Sequence, residues 1–155
     1  MSARIRSRRQ RGERARGQAL VEFSLVLIPF LLLLMGSVDL GRGIYVNNAV
    51  AQAAREIARV TSVHPCDGSP CTTFSAETQA VIDTQQGLVP GMTDASLVVV
   101  CTDIADTELA ANLDGSCPPG AFYRATVTVP FSVMTPLLPV PKDFSLSAVS
   151  HVQIP

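Results

Sequence analysis

The 155-residue sequence predicts an α+β fold: a long N-terminal transmembrane helix that continues as an amphipathic helix and packs with one short helix and a small antiparallel sheet of about three strands. Three observations carry this reading. An uncharged leucine-rich run lies near the N-terminus, an alanine-rich stretch with helical apolar spacing follows it, and three alternating β-branched segments fill the C-terminal half. The length suits one modest domain with a helical arm.

The chain begins with a basic leader, residues 1–17, in which seven arginines stand against Glu13 alone, a net charge of +6. The whole chain sums to -1, so the remainder carries -7. A basic tail suits nucleic acid as well as membrane topology, but this one has no aromatic side chains for stacking and runs directly into an apolar segment, so no nucleic-acid partner is expected.

FSLVLIPFLLLLMGSV, residues 23–38, has no charge, and the flank of residues 18–21 brings it to the roughly 20 residues that cross hydrocarbon. We take 18–40 as a transmembrane helix with the lipid bilayer as its partner. Arginines before it and acids from Asp39 onward predict a cytoplasmic N-terminus and an extracytoplasmic remainder, a single pass through the cell (inner) membrane. Pro29 has no N–H and should free the carbonyl of Leu25. Gly36, Gly41 and Gly43, at the end of the run, suit close helix packing.

Residues 41–62 should prolong the helix, since Val46, Val50, Ala53, Ile57 and Val60 recur at three- and four-residue spacing. Arg55 and Arg59 lie on the polar side near its C-terminal end, where positive charge suits the helix dipole. His64-Pro65 should stop it. The exported α+β domain, 63–155, then opens with a Pro/Gly/Cys loop. Ser75 caps a helix over AETQAVIDTQQGLV, with Val81, Ile82 and Val89 as its apolar face and either Gly87 or Pro90-Gly91 as its stop. SLVVVCTDI, FYRATVTVPFSV and FSLSAVSHVQI read as strands, Pro130 marking an edge or a bulge, and TPLLPVPKD is a connection.

The four cysteines, Cys66, Cys71, Cys101 and Cys117, all fall on the exported side, where disulfides persist. Of the three pairings they allow, the local one, Cys66 with Cys71 and Cys101 with Cys117, is preferred. A zinc knuckle of Cys66, Cys71 and His64 is the rival, but three ligands at this spacing match no strong signature, so no metal and no cofactor is expected. His64 and His151 are the only near-neutral bases, and neither stands in a nucleophile arrangement, so the chain does not read as an enzyme.

Glu22 is the residue out of place. A carboxylate inside a membrane helix is costly and ordinarily has a partner. Were the chain cut after Gly17, the new amine on Gln18 would lie four residues away on the same helix face, about 6 Å along the axis. Its partner could be this amine or that of a neighbouring parallel helix.

Together these residues resemble the TadE-like family. The pattern is a glycine (Gly17), an acid-aromatic pair (Glu22-Phe23), a leucine-rich helix with an early proline (Pro29), the turn Asp39-Leu40-Gly41-Arg42, the aromatic Tyr45, and the ending AAREIAR. Ile28 and Ile57 stand where the family more often has leucine and glycine. The resemblance covers about the first third of the chain. It implies a pilin-like minor pseudopilin of the tight-adherence, or Flp-type, pilus or a related secretion machinery of the bacterial envelope. A prepilin peptidase would cut it between Gly17 and Gln18, a processing site of Gly17, Gln18, Glu22 and Phe23, and its partners would be other pilins, pseudopilins and pilus assembly proteins. The other readings are an uncleaved anchor carrying an extracytoplasmic binding domain, and a secreted enzyme. No A-x-A-like cleavage site follows the leucine run, which disfavours the last.

Overall fold

A computed structural model describes the backbone of residues 3–112, 116–134 and 143–154, with side chains from residue 17 onward except Asp143. The side chains of the basic leader up to Arg16, the TPLLPVP connection with Lys142, and residues 113–115, where the DGSCPPG loop begins, lie outside the described residues. The order of elements is helix α1 (Ala3–Val63), helix α2 (Ala76–Leu88), a single 3-10 turn (Asp94–Ser96), and strands β1 (Leu97–Thr102), β2 (Glu108–Leu109), β3 (Phe122–Ser132) and β4 (Asp143–Gln153).

The chain divides into two compact units. One joins Met1–Leu40 with Met134–Pro139, and the other joins Gly41–Val133 with Val140–Pro155. The Asp39-Leu40-Gly41-Arg42 segment, read above as a turn, is helical, as are Pro29 and its neighbours. α1 ends at Val63, and the N–H of His64 still donates to the Val60 carbonyl at 2.8 Å before Pro65 removes the next donor. Thr61 and Ser62, poor helix formers, remain helical, and each hydroxyl donates to a carbonyl of the preceding turn, Ile57 and Arg59 respectively.

In the second unit α1 buries Val46, Val50, Ala53, Ala54, Ile57 and Ala58 in one core with Ile82 of α2, Val99 and Cys101 of β1, and Tyr123, Ala125, Val127, Val129 and Phe131 of β3. The stripe therefore turns through Ala58 and the buried Thr61, while Val60, expected on it, is half-buried. Small side chains at Ala53, Ala54 and Ala58 bring the helix backbone close to the packed face, and Ile57 fills the space between. Arg59 does not act on the helix end alone: its guanidinium donates to both carboxylate oxygens of Glu56, at 3.2 and 2.6 Å, and holds that carboxyl below its ordinary value.

α2 starts as its sequence requires, with Ser75 Oγ accepting from the Thr78 N–H at 3.2 Å. It passes through Gly87, and Pro90-Gly91 is the stop, with Gly91 at φ +79° where a side chain would be strained. Ile82 and Val89 are buried and Val81 partly so. Thr78 joins them: its hydroxyl donates to the His64 carbonyl at 3.2 Å, tying α2 to the end of α1.

The sheet has four antiparallel strands in the order β2-β1-β3-β4, one more than the sequence suggested. The addition, β2, is two residues long, too short to leave a periodic signature. β3 alternates buried and half-buried positions from Phe122 to Val129, as a strand with one face on a core must. β1 pairs with β3 only as far as Leu97↔Val127, so Pro130 lies where β4 alone flanks the strand, and the β3–β4 register passes it without a bulge. Its missing N–H is thus accommodated on an edge.

Candidate functional site

The first unit offers a surface that water does not suit. Between Gly17 and Leu40 only Asp39 is buried, Leu27, Leu32 and Gly36 are half-buried, and every other residue is exposed. Leu20, Phe23, Leu25, Val26, Ile28, Phe30 and Leu33 are each more than half exposed. An apolar patch of this extent marks an interaction surface, and here the helix is also long and apolar enough to cross a membrane. The polar groups within it are muted. Ser24 and Ser37 donate their hydroxyls to the carbonyls of Leu20 and Leu33, both at 2.8 Å, so neither would enter lipid unsatisfied.

Gly17, Gln18, Glu22 and Phe23 all lie on this exposed helix. The helix places Gln18 and Glu22 one turn apart, about 6 Å along the axis. A Cβ on Gly17, Gly36 or Gly41 would meet open space, so these glycines leave the helix surface flat rather than fit a neighbour within the chain. At the end of the apolar run Asp39 is 6% exposed, and its Oδ1 accepts the backbone N–H of Met134 at 3.2 Å.

In the second unit Gly43 faces Phe131, which a Cβ there would approach to 3.7 Å. The Arg42 guanidinium lies 5.2 Å from the centre of the same ring, and Phe144 tilts at 50° against that ring, 5.2 Å centroid to centroid. Arg42 and Gly43 thus anchor the start of this part of α1 to the ends of β3 and β4 through cation–π and ring contacts.

The cysteines stand as two close pairs, Cys66 with Cys71 and Cys101 with Cys117, each with Cα atoms 5.6 Å apart and sulfurs at disulfide distance. The loop between the first pair is knitted to β1: the Cys71 N–H donates to Val99 O at 2.8 Å, and the Cys101 N–H donates to Ser69 Oγ at 3.0 Å. The buried Tyr123 hydroxyl reaches backbone at both Cys117 and Cys66, and burial pushes its phenol above the ordinary value. His64 does not join the cysteines. Its Nδ1 lies 3.9 Å from Glu77 Oε2, and among the described residues no group of three His, Cys, Asp or Glu side chains could hold a metal ion.

A further polar cluster escaped sequence reasoning. Asp106, in the β1–β2 turn at φ +64°, meets His151 Nε2 at 2.9 Å and Arg124 Nη1 at 3.1 Å, while Arg124 Nη2 pairs with Glu108. The imidazole, with the guanidinium behind it, holds the Asp106 carboxyl below its ordinary value. Asp103 fixes the turn, its Oδ1 accepting from the N–H groups of Ala105 and Thr107 at 2.9 and 2.8 Å. Arg124 and His151 are cross-strand partners that reach Asp106 in the turn, and Arg124 also reaches Glu108 in β2, a meeting that becomes visible only once the strand pairing is known.

Comparison with curated proteins and with solved structures gives no match. The segment that holds the Gly17 to Phe23 positions, the exposed apolar helix, Asp39 and most of the buried α1 stripe, residues 17–59, matches the family described as TadE-like protein, and the matched segment contains the helix that is long and apolar enough to cross a membrane.

Proposed function

We propose that the protein is a pseudopilin of a Flp-type adherence pilus or a related secretion machinery. In this reading residues 1–17 are a cytoplasmic leader, 18–40 span the inner membrane, 41–62 carry the helix on, and 63–155 face outward with both cysteine pairs oxidised. A prepilin peptidase removes the leader between Gly17 and Gln18. Other pilins, pseudopilins and pilus assembly proteins are the partners.

The observation that carries the reading is the coincidence of the TadE-like match, which begins at Gly17, with an exposed apolar helix that holds a single carboxylate one turn inside that boundary. Cleavage supplies Gln18 with an amine on the Glu22 face. In a low dielectric the resulting pair is far stronger than in water, whether the amine belongs to the same chain or to a neighbour in a bundle of parallel helices.

Mass spectrometry of the mature protein tests the cut. An N-terminus at Gln18, free, methylated or cyclised, is expected in cells that hold the peptidase; an intact Met1 leader there refutes processing and leaves an anchored outer domain. Glu22→Ala tests assembly. The variant should insert in the membrane at least as well as the parent, yet fail to enter the assembly, whereas unchanged assembly removes the carboxylate from the mechanism.

A further inference from the structure

We infer that the chain contacts lipid at a second place, the Met134 segment, and that Asp39 is the positioning residue that holds it there. The inference rests on reading residues 18–40 as membrane-spanning. Asp39 closes the apolar run. It is 6% exposed although its neighbours Val38 and Leu40 are 55% and 66% exposed, so it is covered on a helix otherwise bare. One group that its carboxylate meets comes from 95 positions away: Oδ1 accepts the Met134 N–H at 3.2 Å.

The depth of this contact follows from the helix. Leu34, Met35, Val38, Asp39 and Met134 line one open, mostly apolar concavity of ≈ 220 Å³. Leu34 lies about 7.5 Å along the axis from Asp39, toward the interior of the span. Met134 therefore sits level with the last turns of the apolar run.

At that level two groups are costly when left alone, a peptide N–H without an acceptor and a carboxylate without a donor. Each satisfies the other here. The Met134 side chain, 73% exposed, then lies beside Leu34, Met35 and Val38, which are themselves about half exposed. The concavity continues the exposed apolar surface of the helix, so its occupant is a lipid acyl chain of the outer leaflet.

The test uses the full chain, cysteine pairs oxidised, in phosphatidylcholine vesicles, with a nitroxide label on Met134→Cys. The same label on Leu34→Cys marks the hydrocarbon and on Val98→Cys, an exposed position of β1, marks water. The label at Met134 should be relaxed by oxygen and protected from an aqueous nickel chelate, as at Leu34. Exposure to nickel as at Val98, with Leu34 protected, overturns the inference and leaves the span intact. Shielding from both reagents also overturns it, since protein rather than lipid then covers the site. Nickel access at Leu34 refutes the span and the inference together. Asp39→Ala should give nickel access at Met134 alone, and Asp39→Asn, which keeps an acceptor oxygen, should restore protection; Met134 protection indifferent to both changes removes Asp39 from the role.

Discussion

Replacing Ile57 by alanine removes three carbons from a side chain that is 0% exposed at the centre of the α1 stripe. The transfer term alone, at about 0.8 kcal/mol per buried carbon, is about 2.4 kcal/mol. The cavity left among Ala53, Ala54, Tyr123 and their neighbours in the core adds to it, because a helix carrying bulky partners on a sheet closes only part of the gap. A total on the order of 3 to 4 kcal/mol follows, a large share of the 5 to 15 kcal/mol that typically stabilises a domain. Val60→Ala provides the contrast. Both residues fit the helical spacing of the sequence, but Val60 is half-buried, so its two carbons are worth on the order of 0.8 kcal/mol. Thermal unfolding followed by circular dichroism in mild detergent should place Ile57→Ala on the order of 15 °C below the parent and Val60→Ala within a few degrees of it. Equal losses for the two variants would refute the packing of α1 described here, since they would put both side chains on one buried stripe.

Three more outcomes are expected. Replacing Cys101 and Cys117 together should cost about 3 kcal/mol, from a closure of 16 residues in the chain-entropy account, and reducing agent should lower the parent's melting temperature but leave that of a variant lacking all four cysteines unchanged. Asp106 has a folded pKa below its unfolded value near 3.8, so it contributes stability that is present above that value and lost as the pH falls through the folded pKa. Asp106→Asn tolerates the positive φ and cannot titrate, so its acid unfolding curve should lose part of the parent's slope in that window; identical slopes would remove the cluster with His151 from the stability of the domain. The Thr102 hydroxyl is buried without a hydrogen-bond partner among the described residues, so Thr102→Val, matched in shape, should stabilise by about 1 kcal/mol in the same melting assay.

Much of the fold is legible along the chain because it is written in short-range periodicity. The α1 path into Val63, the Ser75 cap, the Pro90-Gly91 stop and the three long strands all depend on residues within a turn or a few positions of one another. β2 was not legible, since two residues show no alternation, and its pairing with Cys101 and Thr102 exists only because the Asp103 turn folds the chain back. Val60 was misplaced for a related reason. Spacing of three and four residues locates an apolar arc, but the packed neighbours decide where its edges fall, and here they favour Ala58 and Thr61. In the candidate site, Gly17, Gln18, Glu22 and Phe23 are a local pattern and stood out at once. Asp39 was noticed as a charge, yet its meeting with Met134 could not be.

By itself the sequence determined which of the longer segments are helix and strand, that the run after Gly17 is apolar enough for hydrocarbon, and that a carboxylate stands one turn inside the Gly17 boundary, because each depends on side-chain chemistry at near positions. Tertiary structure alone decided which distant groups meet: Asp39 with Met134, Arg42 with Phe131, and Asp106 with Arg124 and His151. The reason is physical. A buried or boundary polar group takes whatever donor or acceptor the packed backbone brings within about 3 Å, and that choice follows from the register of strands and the ends of helices, which no local pattern encodes.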